Sequence, residues 1–286
     1  ADRCYLDAVQ FLECSEAQVG YRDSNGSTAL GVALKNRNEE VAAYLCCLLD
    51  KTAEVGDFDL DTRYEDGLTV LMWATLSGQV DIVRYLIEQG ANVNGIGVNG
   101  HTALGIALEA MKSDIAAYLC GLSDGSAGVA VGGFDLEAVY ENGYTVFMWA
   151  AFSGEIDIVR YLTKQGVNVN SRGMSGHTAL GVALKERETE IAAYFCSLPD
   201  KRAEVGDFDL ETKCEKGSTV LIWAVLSGDI DIVKYLTQMG ANVNSRDADG
   251  HTALGIAVNE RKTDIAAHLC RLMDQRAEVG DLNSEA

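Results

Sequence analysis

The sequence predicts an all-α protein built from repeated helix-turn-helix units, and three observations carry that expectation. A Gly-x-Thr motif begins at Gly26, Gly67, Gly100, Gly143, Gly176, Gly217 and Gly250, at spacings of 41, 33, 43, 33, 41 and 33 residues. Self-similarity at such a period is the signature of a repeat architecture. Apolar residues within each unit fall at helical rather than strand spacing. The 29 glycines punctuate turns, and the chain holds one proline, Pro199. With 286 residues, 48% of them hydrophobic, the chain is long enough to bury a substantial core.

The spacings alternate, so the repeating element is a pair. Its long member reads His-Thr-Ala-Leu-Gly from His101, His177 and His251, with Ser27-Thr28-Ala29-Leu30-Gly31 in the first copy. It continues to Ile-Ala-Ala-Tyr at Ile115 and Ile191. The short member reads Thr-Val-Leu-Met-Trp-Ala from Thr69, then Ser77-Gly78, Asp81-Ile82-Val83-Arg84-Tyr85-Leu86 and Gly90-Ala91-Asn92-Val93-Asn94. Thr69 is placed to cap a first helix, on which Leu71 and Ala74 share a stripe that Thr75 interrupts. Ser77-Gly78 ends it, since glycine accepts the left-handed conformation a helix stop commonly needs. Ile82, Val83, Tyr85 and Leu86 mark a second helix closed by Gly90, and residues 94–100 form a turn into the next unit.

These residues together, Gly-x-Thr-x-Leu, Asp-Ile-Val-Arg-Tyr-Leu and Gly-Ala-Asn-Val-Asn at a 33-residue period, resemble the ankyrin-repeat family over essentially the whole chain. The resemblance implies a single solenoid of L-shaped helical pairs with β-turn fingers, binding partner proteins on its concave side and finger tips. It divides the chain into a half-cap at 1–25 and repeats at 26–66, 67–99, 100–142, 143–175, 176–216, 217–249 and 250–286. Departures from the pattern are informative. The family's Thr-Pro-Leu-His becomes Thr-Ala-Leu-Gly or Thr-Val-Leu-Met, which removes the usual histidine tie between units. In the long repeats Arg37, Met111, Arg187 and Arg261 stand where Gly78 ends a short-repeat helix. Either that turn has another geometry, or each adopts a left-handed conformation at a cost of about 1 kcal/mol. Long repeats also carry 8 to 10 extra residues after the second helix, around Ala53, Ala203 and Ala277 and at residues 123–128 in the middle copy, read as projecting loops.

Several chemistries fail on spacing and charge. Acidic residues number 43 against 23 basic ones, a net charge of −20, which opposes phosphate backbones and disfavours nucleic acid. The longest apolar run, Val41 to Leu49, is far short of the roughly 20 residues a bilayer needs, so no direct membrane insertion is expected. Residues 1–25, with Asp7, Glu13 and Glu16, are unlike a signal peptide. The opening at Ala1 leaves open a removed targeting segment or a longer parent chain. Cys46, Cys120, Cys196 and Cys270 recur two units apart, near 20 Å at roughly 8–10 Å per helix layer, too far for disulfides with one another. Cys4, Cys14, Cys47 and Cys214 lack the close spacing of a zinc site. A reducing intracellular compartment is therefore expected, cytoplasmic by default, an organelle remaining open. His101, His177 and His251 occupy equivalent positions too far apart to share a metal, and His268 replaces a tyrosine. Alternating carboxylates at residues 57–61 and 207–211 suggest calcium, but Thr62 and Leu68 stand where an EF-hand needs glycine and glutamate. No nucleophile-base pair recurs, and no catalytic, cofactor or metal site is expected; the chain is read as non-enzymatic, and nothing in it indicates a homo-oligomer.

In the ankyrin register, the residues after the first helix's core and before the second helix face the concave groove. Those are Leu76 and Val80, Phe152 and Ile156, and Leu226 and Ile230, apolar every time. Long repeats place Lys35, Glu109, Lys185 and Asn259 at the first of these positions, so apolar and polar ridges alternate. Exposed apolar area marks interaction sites, while packing between repeats is the competing use of the same six side chains. Trp73, Trp149 and Trp223 join the candidates, with burial between units as their alternative. Finger tips add Tyr21, Arg22, Arg63, Tyr64, Val139, Tyr140, Arg172, Met174 and Arg246. The expected function is a protein-binding adaptor or scaffold whose partner presents basic or mixed apolar-basic surface. The alternative is a permanent subunit bridging parts of a large assembly, which a membrane can adjoin.

Overall fold

The computed structural model describes residues 20–24, 26–51, 60–61, 63–64, 67–97, 100–123, 136–140, 143–198, 209–214 and 216–282. Among them lie fourteen helices and no extended strand, in seven successive pairs. The pairs are α1 (Ala29–Lys35) and α2 (Glu39–Lys51), α3 (Val70–Ser77) and α4 (Val80–Glu88), and α5 (Ala103–Glu109) and α6 (Ser113–Ser123). There follow α7 (Val146–Phe152) and α8 (Ile156–Lys164), α9 (Ala179–Glu186) and α10 (Thr189–Ser197), α11 (Val220–Ser227) and α12 (Ile230–Gln238), and α13 (Ala253–Asn259) and α14 (Thr263–Leu282). The half-cap at 1–25 lies almost entirely outside the described residues. No described helix is long and apolar enough to cross a membrane.

Each first helix starts on the threonine of Gly-x-Thr. Thr28, Thr69, Thr102, Thr145, Thr178 and Thr252 are extended, and each hydroxyl accepts the N–H three residues on, which satisfies one of the donors a helix start leaves unpaired. Gly78 and Gly228 close α3 and α11 in the left-handed conformation. Long repeats do the same without glycine: Arg37, Met111, Arg187 and Arg261 have φ of 55°, 52°, 65° and 57°. The cost is offset by two bonds at each turn, such as Arg37 N–H to the Leu34 carbonyl and Asn38 N–H to that of Ala33. Thr75, the interruption in the stripe of α3, is fully buried and donates its hydroxyl to the Leu71 carbonyl at 2.9 Å.

The chain divides into two compact units, residues 1–141 and 142–286. In unit 1 the first helices α1, α3 and α5 pack in a row, and so do the second helices α2, α4 and α6. Unit 2 repeats the scheme with α7, α9, α11 and α13 in one row and α8, α10, α12 and α14 in the other. The core lies between the rows, formed by residues such as Leu30, Leu71, Leu86 and Leu104 in unit 1 and Phe147, Phe195, Leu221 and Leu236 in unit 2. The expected loop around Ala277 is not a loop, because α14 runs through it to Leu282. Met273, Gln275, Arg276, Ala277 and Glu278 are good helix formers and extend it. The other three insertions fall mostly outside the described residues.

The fingers meet the helices by an exchange of size. Where α3 carries Met72, the following finger brings Gly97, on which an added Cβ would meet the Met72 Sδ at 3.4 Å. Where α1 and α5 carry Gly31 and Gly105, the finger brings Tyr64 and Tyr140, whose rings lie directly on the space a Cβ would take. The Tyr64 hydroxyl is 3.0 Å from the Thr28 Oγ1, and the Tyr140 hydroxyl is 3.2 Å from that of Thr102. A tyrosine thus ties each of these first helices to the finger that follows its repeat's second helix, at the place where the family's histidine is missing.

Candidate partner-binding surface

The apolar ridge takes shape where each short-repeat first helix ends and its partner begins. Leu76 and Val80 in unit 1, and Phe152, Ile156, Leu226 and Ile230 in unit 2, are all half-buried, neither solvated nor sealed. Lys35, Glu109, Lys185 and Asn259 of the long repeats are exposed. The serines at the ends of the short helices fold back, with Ser77 and Ser227 donating to the Ala74 and Ala224 carbonyls and Ser153 to that of Trp149. That leaves the side chains beside them as the apolar part of the surface.

The tryptophans divide. Trp73 and Trp223 are half-buried, and the Lys35 ammonium lies 5.7 Å from the Trp73 ring. Trp149 is 8% exposed, held edge-on by Phe152 at 5.3 Å and Tyr144 at 5.5 Å, and so it is a packing residue rather than a contact. In all three the indole Nε1 is buried without a hydrogen-bond partner.

A charged rim follows the ridge in unit 2. Lys262 reaches back from the next repeat and donates to the Val225 and Leu226 carbonyls at 2.7 and 2.6 Å. It thereby satisfies acceptors that the end of α11 leaves open. Burial, with Arg187 adding to it, holds its pKa below the ordinary lysine value. At the corresponding place beside Gly154 stands a carboxylate, Glu188.

The finger tips differ from the sequence expectation. Tyr64 and Tyr140 are not tips at all; each is buried against the glycine and capping threonine of its own repeat's first helix, Tyr140 only 3% exposed. Arg172 is exposed but its guanidinium is paired with the Asp209 carboxylate of the next finger. Asp209 is held below the ordinary carboxylate range by Thr212, then by Arg172 and the Glu211 N–H. Arg246 donates to the Gly250 carbonyl within its own turn. Arg63, Tyr21, Val139 and Met174 are exposed, Met174 at 72%, and Arg22 is half-buried. Asp61 and Glu211, from the segments considered for calcium, accept the N–H of Asn92 and Asn242, so finger-to-finger bonding occupies them. Residues 57–59 and 207–208 fall outside the described residues.

Among the described residues one group gathers ligand atoms within 4.8 Å, Asp247, Asp249 and His251. Asp247 already accepts both the Asp249 and His251 N–H groups, as an Asx turn does, which accounts for the cluster without an ion. Among the described residues six cysteines stand outside any disulfide, and burial, with Asp229, pushes the Cys196 thiol up to about 12. His268, which replaces a tyrosine, faces the Thr237 hydroxyl at 3.0 Å and is held below its ordinary pKa by burial, Lys234 and Arg271. What sequence reasoning missed is the tyrosine tie. Its signal was the pairing of Gly31 with Tyr64 and Gly105 with Tyr140, 33 and 35 residues apart.

Comparison with known proteins agrees with this architecture. The family model for ankyrin repeats in three copies matches residues 48–127, 125–209 and 201–281. A putative palmitoyltransferase, ZDHHC13 of Danio rerio, is 27% identical over 73% of this chain and 30% of its own length. The putative ankyrin repeat protein L371 of Acanthamoeba polyphaga mimivirus is 24% identical over 99% of this chain and 35% of its own. The B-cell lymphoma 3 protein homolog of Mus musculus is 27% identical over 65% of this chain and 38% of its own. The chain thus spans about a third of the length of these curated relatives. Among solved structures, the ankyrin repeat domain of Bcl-3, a member of the IkappaB family, superposes with a TM-score of 0.61 at 23% identity, over 85% of this chain and 99% of that one.

Proposed function

The chain belongs to the ankyrin-repeat family, whose members are protein-protein interaction modules, and from that premise we propose that it is a non-enzymatic adaptor or scaffold. The carrying observation is the half-buried apolar ridge, Leu76 and Val80 in unit 1 and Phe152, Ile156, Leu226 and Ile230 in unit 2, beside exposed polar residues of the long repeats. Apolar side chains left partly in contact with water at a recurrent position gain from being covered by a partner. Trp73 and Trp223 stand beside it with unpartnered indole N–H groups, and tryptophan is enriched among residues that dominate binding energy. A net charge of −20 favours a partner with basic or mixed apolar-basic surface, steered electrostatically and released by salt. The wide spacing of the recurrent cysteines, and the six described ones standing outside any disulfide, support a reducing intracellular compartment.

The test is capture of partners from native extract by the wild-type chain and by the joint variant Leu76→Ser, Phe152→Ser, Leu226→Ser, with the helical circular-dichroism signal as a folding control. Loss of partners from a folded variant is expected; an unchanged partner set on a folded variant ends the proposal. Gel filtration of the extract then separates an adaptor, found partly free, from a permanent subunit, found only in a large assembly.

A further inference from the structure

The first helix of every short repeat ends against the residue that precedes the second helix of the next repeat, and at two of these three junctions that residue is a lysine. Lys262 sets its ammonium on the Val225 and Leu226 carbonyls at 2.7 and 2.6 Å, with the Nζ 3.5 Å from where a Cβ on Gly228 would stand. In unit 1 the Lys112 Nζ lies 3.2 Å from the corresponding point on Gly78. The remaining junction, in unit 2, carries Glu188 instead. Its two carboxylate oxygens stand 3.0 and 3.4 Å from the corresponding point on Gly154. Gly78, Gly154 and Gly228 share a left-handed backbone, with φ of 82°, 77° and 88°. The frame is therefore the same at all three, and only the charge is reversed.

A carboxylate at the end of a helix faces carbonyls of the same sign, which is unfavourable. Among the described residues no group donates to the Ala151 and Phe152 carbonyls, the counterparts of the two that Lys262 satisfies. Helix capping does not explain Glu188 either. It stands before α10 without making a cap bond, whereas Asp229, before α12, accepts the N–H groups of Asp231 and Ile232. Nor, among the described residues, does a lysine or arginine pair with its carboxylate. Arg160 faces Glu190 at 3.8 Å, and Lys185 faces Glu186 at 3.7 Å. One carboxylate and two open carbonyls thus stand together with no cation of the chain between them.

We propose that Glu188, with the Ala151 and Phe152 carbonyls, receives a lysine ammonium from a partner protein, in the place that Lys262 fills from within the chain at the sister junction. The inference rests on the partner-binding ridge proposed above and adds one charged contact to it. Phe152 and Ile156 are half-buried beside this junction, and Glu188 is itself half-buried, within reach of a partner. A lysine lays its methylene stem along such apolar surface while its charged head makes the polar contacts. The sister junction shows which head fits, since there a single ammonium bridges two carbonyls as a point charge. The net charge of −20 draws basic surfaces to the whole molecule, and Glu188 gives one basic side chain a defined seat.

The probes are two peptides, acetyl-Leu-Lys-Leu-amide and acetyl-Leu-norleucine-Leu-amide, the second lacking only the ammonium, titrated into the full chain at low salt and followed by the amide NMR signal of Gly154. The wild-type chain is expected to bind the lysine peptide about fivefold more tightly than the norleucine peptide, a preference that shrinks as salt rises. Glu188→Lys fills the place from within, as Lys262 does, and is expected to lose most of that preference. Glu188→Gln, which removes the charge alone, is expected to do the same and keeps the test decisive if Glu188→Lys does not fold. Equal binding of the two peptides by wild type overturns the proposal while leaving the apolar ridge standing, because the joint serine variant tests the ridge separately. No binding of either peptide by wild type, or an unchanged lysine preference in a folded Glu188 variant, overturns it as well.

Discussion

In unit 1 the joints between long-repeat helices and their following fingers are closed by Tyr64 and Tyr140, while in unit 2 the equivalent joint ends in Cys214 and stays open. Backbone hydrogen bonds, capping threonines and turn glycines agree between the two. The difference shows that in a stacked repeat the backbone frame and the side chains that fill it are separate layers. Nearest-neighbour architectures tolerate this because each joint stabilises only the units it connects.

The sharpest way to break the comparison is to turn a closed joint into an open one. Tyr140→Cys removes a buried ring and its hydroxyl contact, and a loss of about 3 kcal/mol in urea unfolding is expected, in the range for deleting a buried aromatic. If the variant unfolds at the wild-type midpoint, the tyrosine is not a tie.

The Gly-x-Thr start, Ser77-Gly78 and Asp81 through Leu86 marked the helices because caps, stops and apolar stripes act locally. Thr75 looked like a flaw in the stripe because sequence spacing does not reveal that its hydroxyl bonds back to Leu71. For Tyr64 and Tyr140 loop position suggests exposed finger tips. Their inward direction depends on a glycine about 35 residues earlier, on the first helix of the same long repeat. Arg172 and Arg246 stood out as loop cations, and only the folded fingers show that Asp209 and the Gly250 carbonyl engage them. The apolar ridge was visible at the level of residue type, whereas its half-burial is a property of packing.

A smaller effect tests the rim. Lys262→Met removes the amine donating to the end of α11, and a loss of about 1 kcal/mol is expected, while Glu188→Lys, which places a cation at the end of α7, should gain about 0.5 kcal/mol. Equal signs for the two variants in thermal melts would refute the assignment.

The smallest expected effect is on acid stability. The Asp209 carboxyl is lower in pKa folded than unfolded, so its contribution is present above the ordinary carboxylate range and is lost as pH falls through the folded value. Asp209→Asn should therefore lower stability at neutral pH and leave it near wild type in strong acid. A difference that stays constant with pH would speak against the Arg172 and Glu211 contacts as its source.

The most direct test of unequal joints is a pair of single-atom additions, Gly105→Ala and Gly181→Ala, compared by equilibrium urea unfolding. Gly105→Ala should lower the midpoint, by about 1–3 kcal/mol in stability, because the methyl group meets the Tyr140 ring. Gly181→Ala should hold the midpoint or raise it, since the space is open and alanine favours the helix over glycine. An equal fall in both variants would contradict the account.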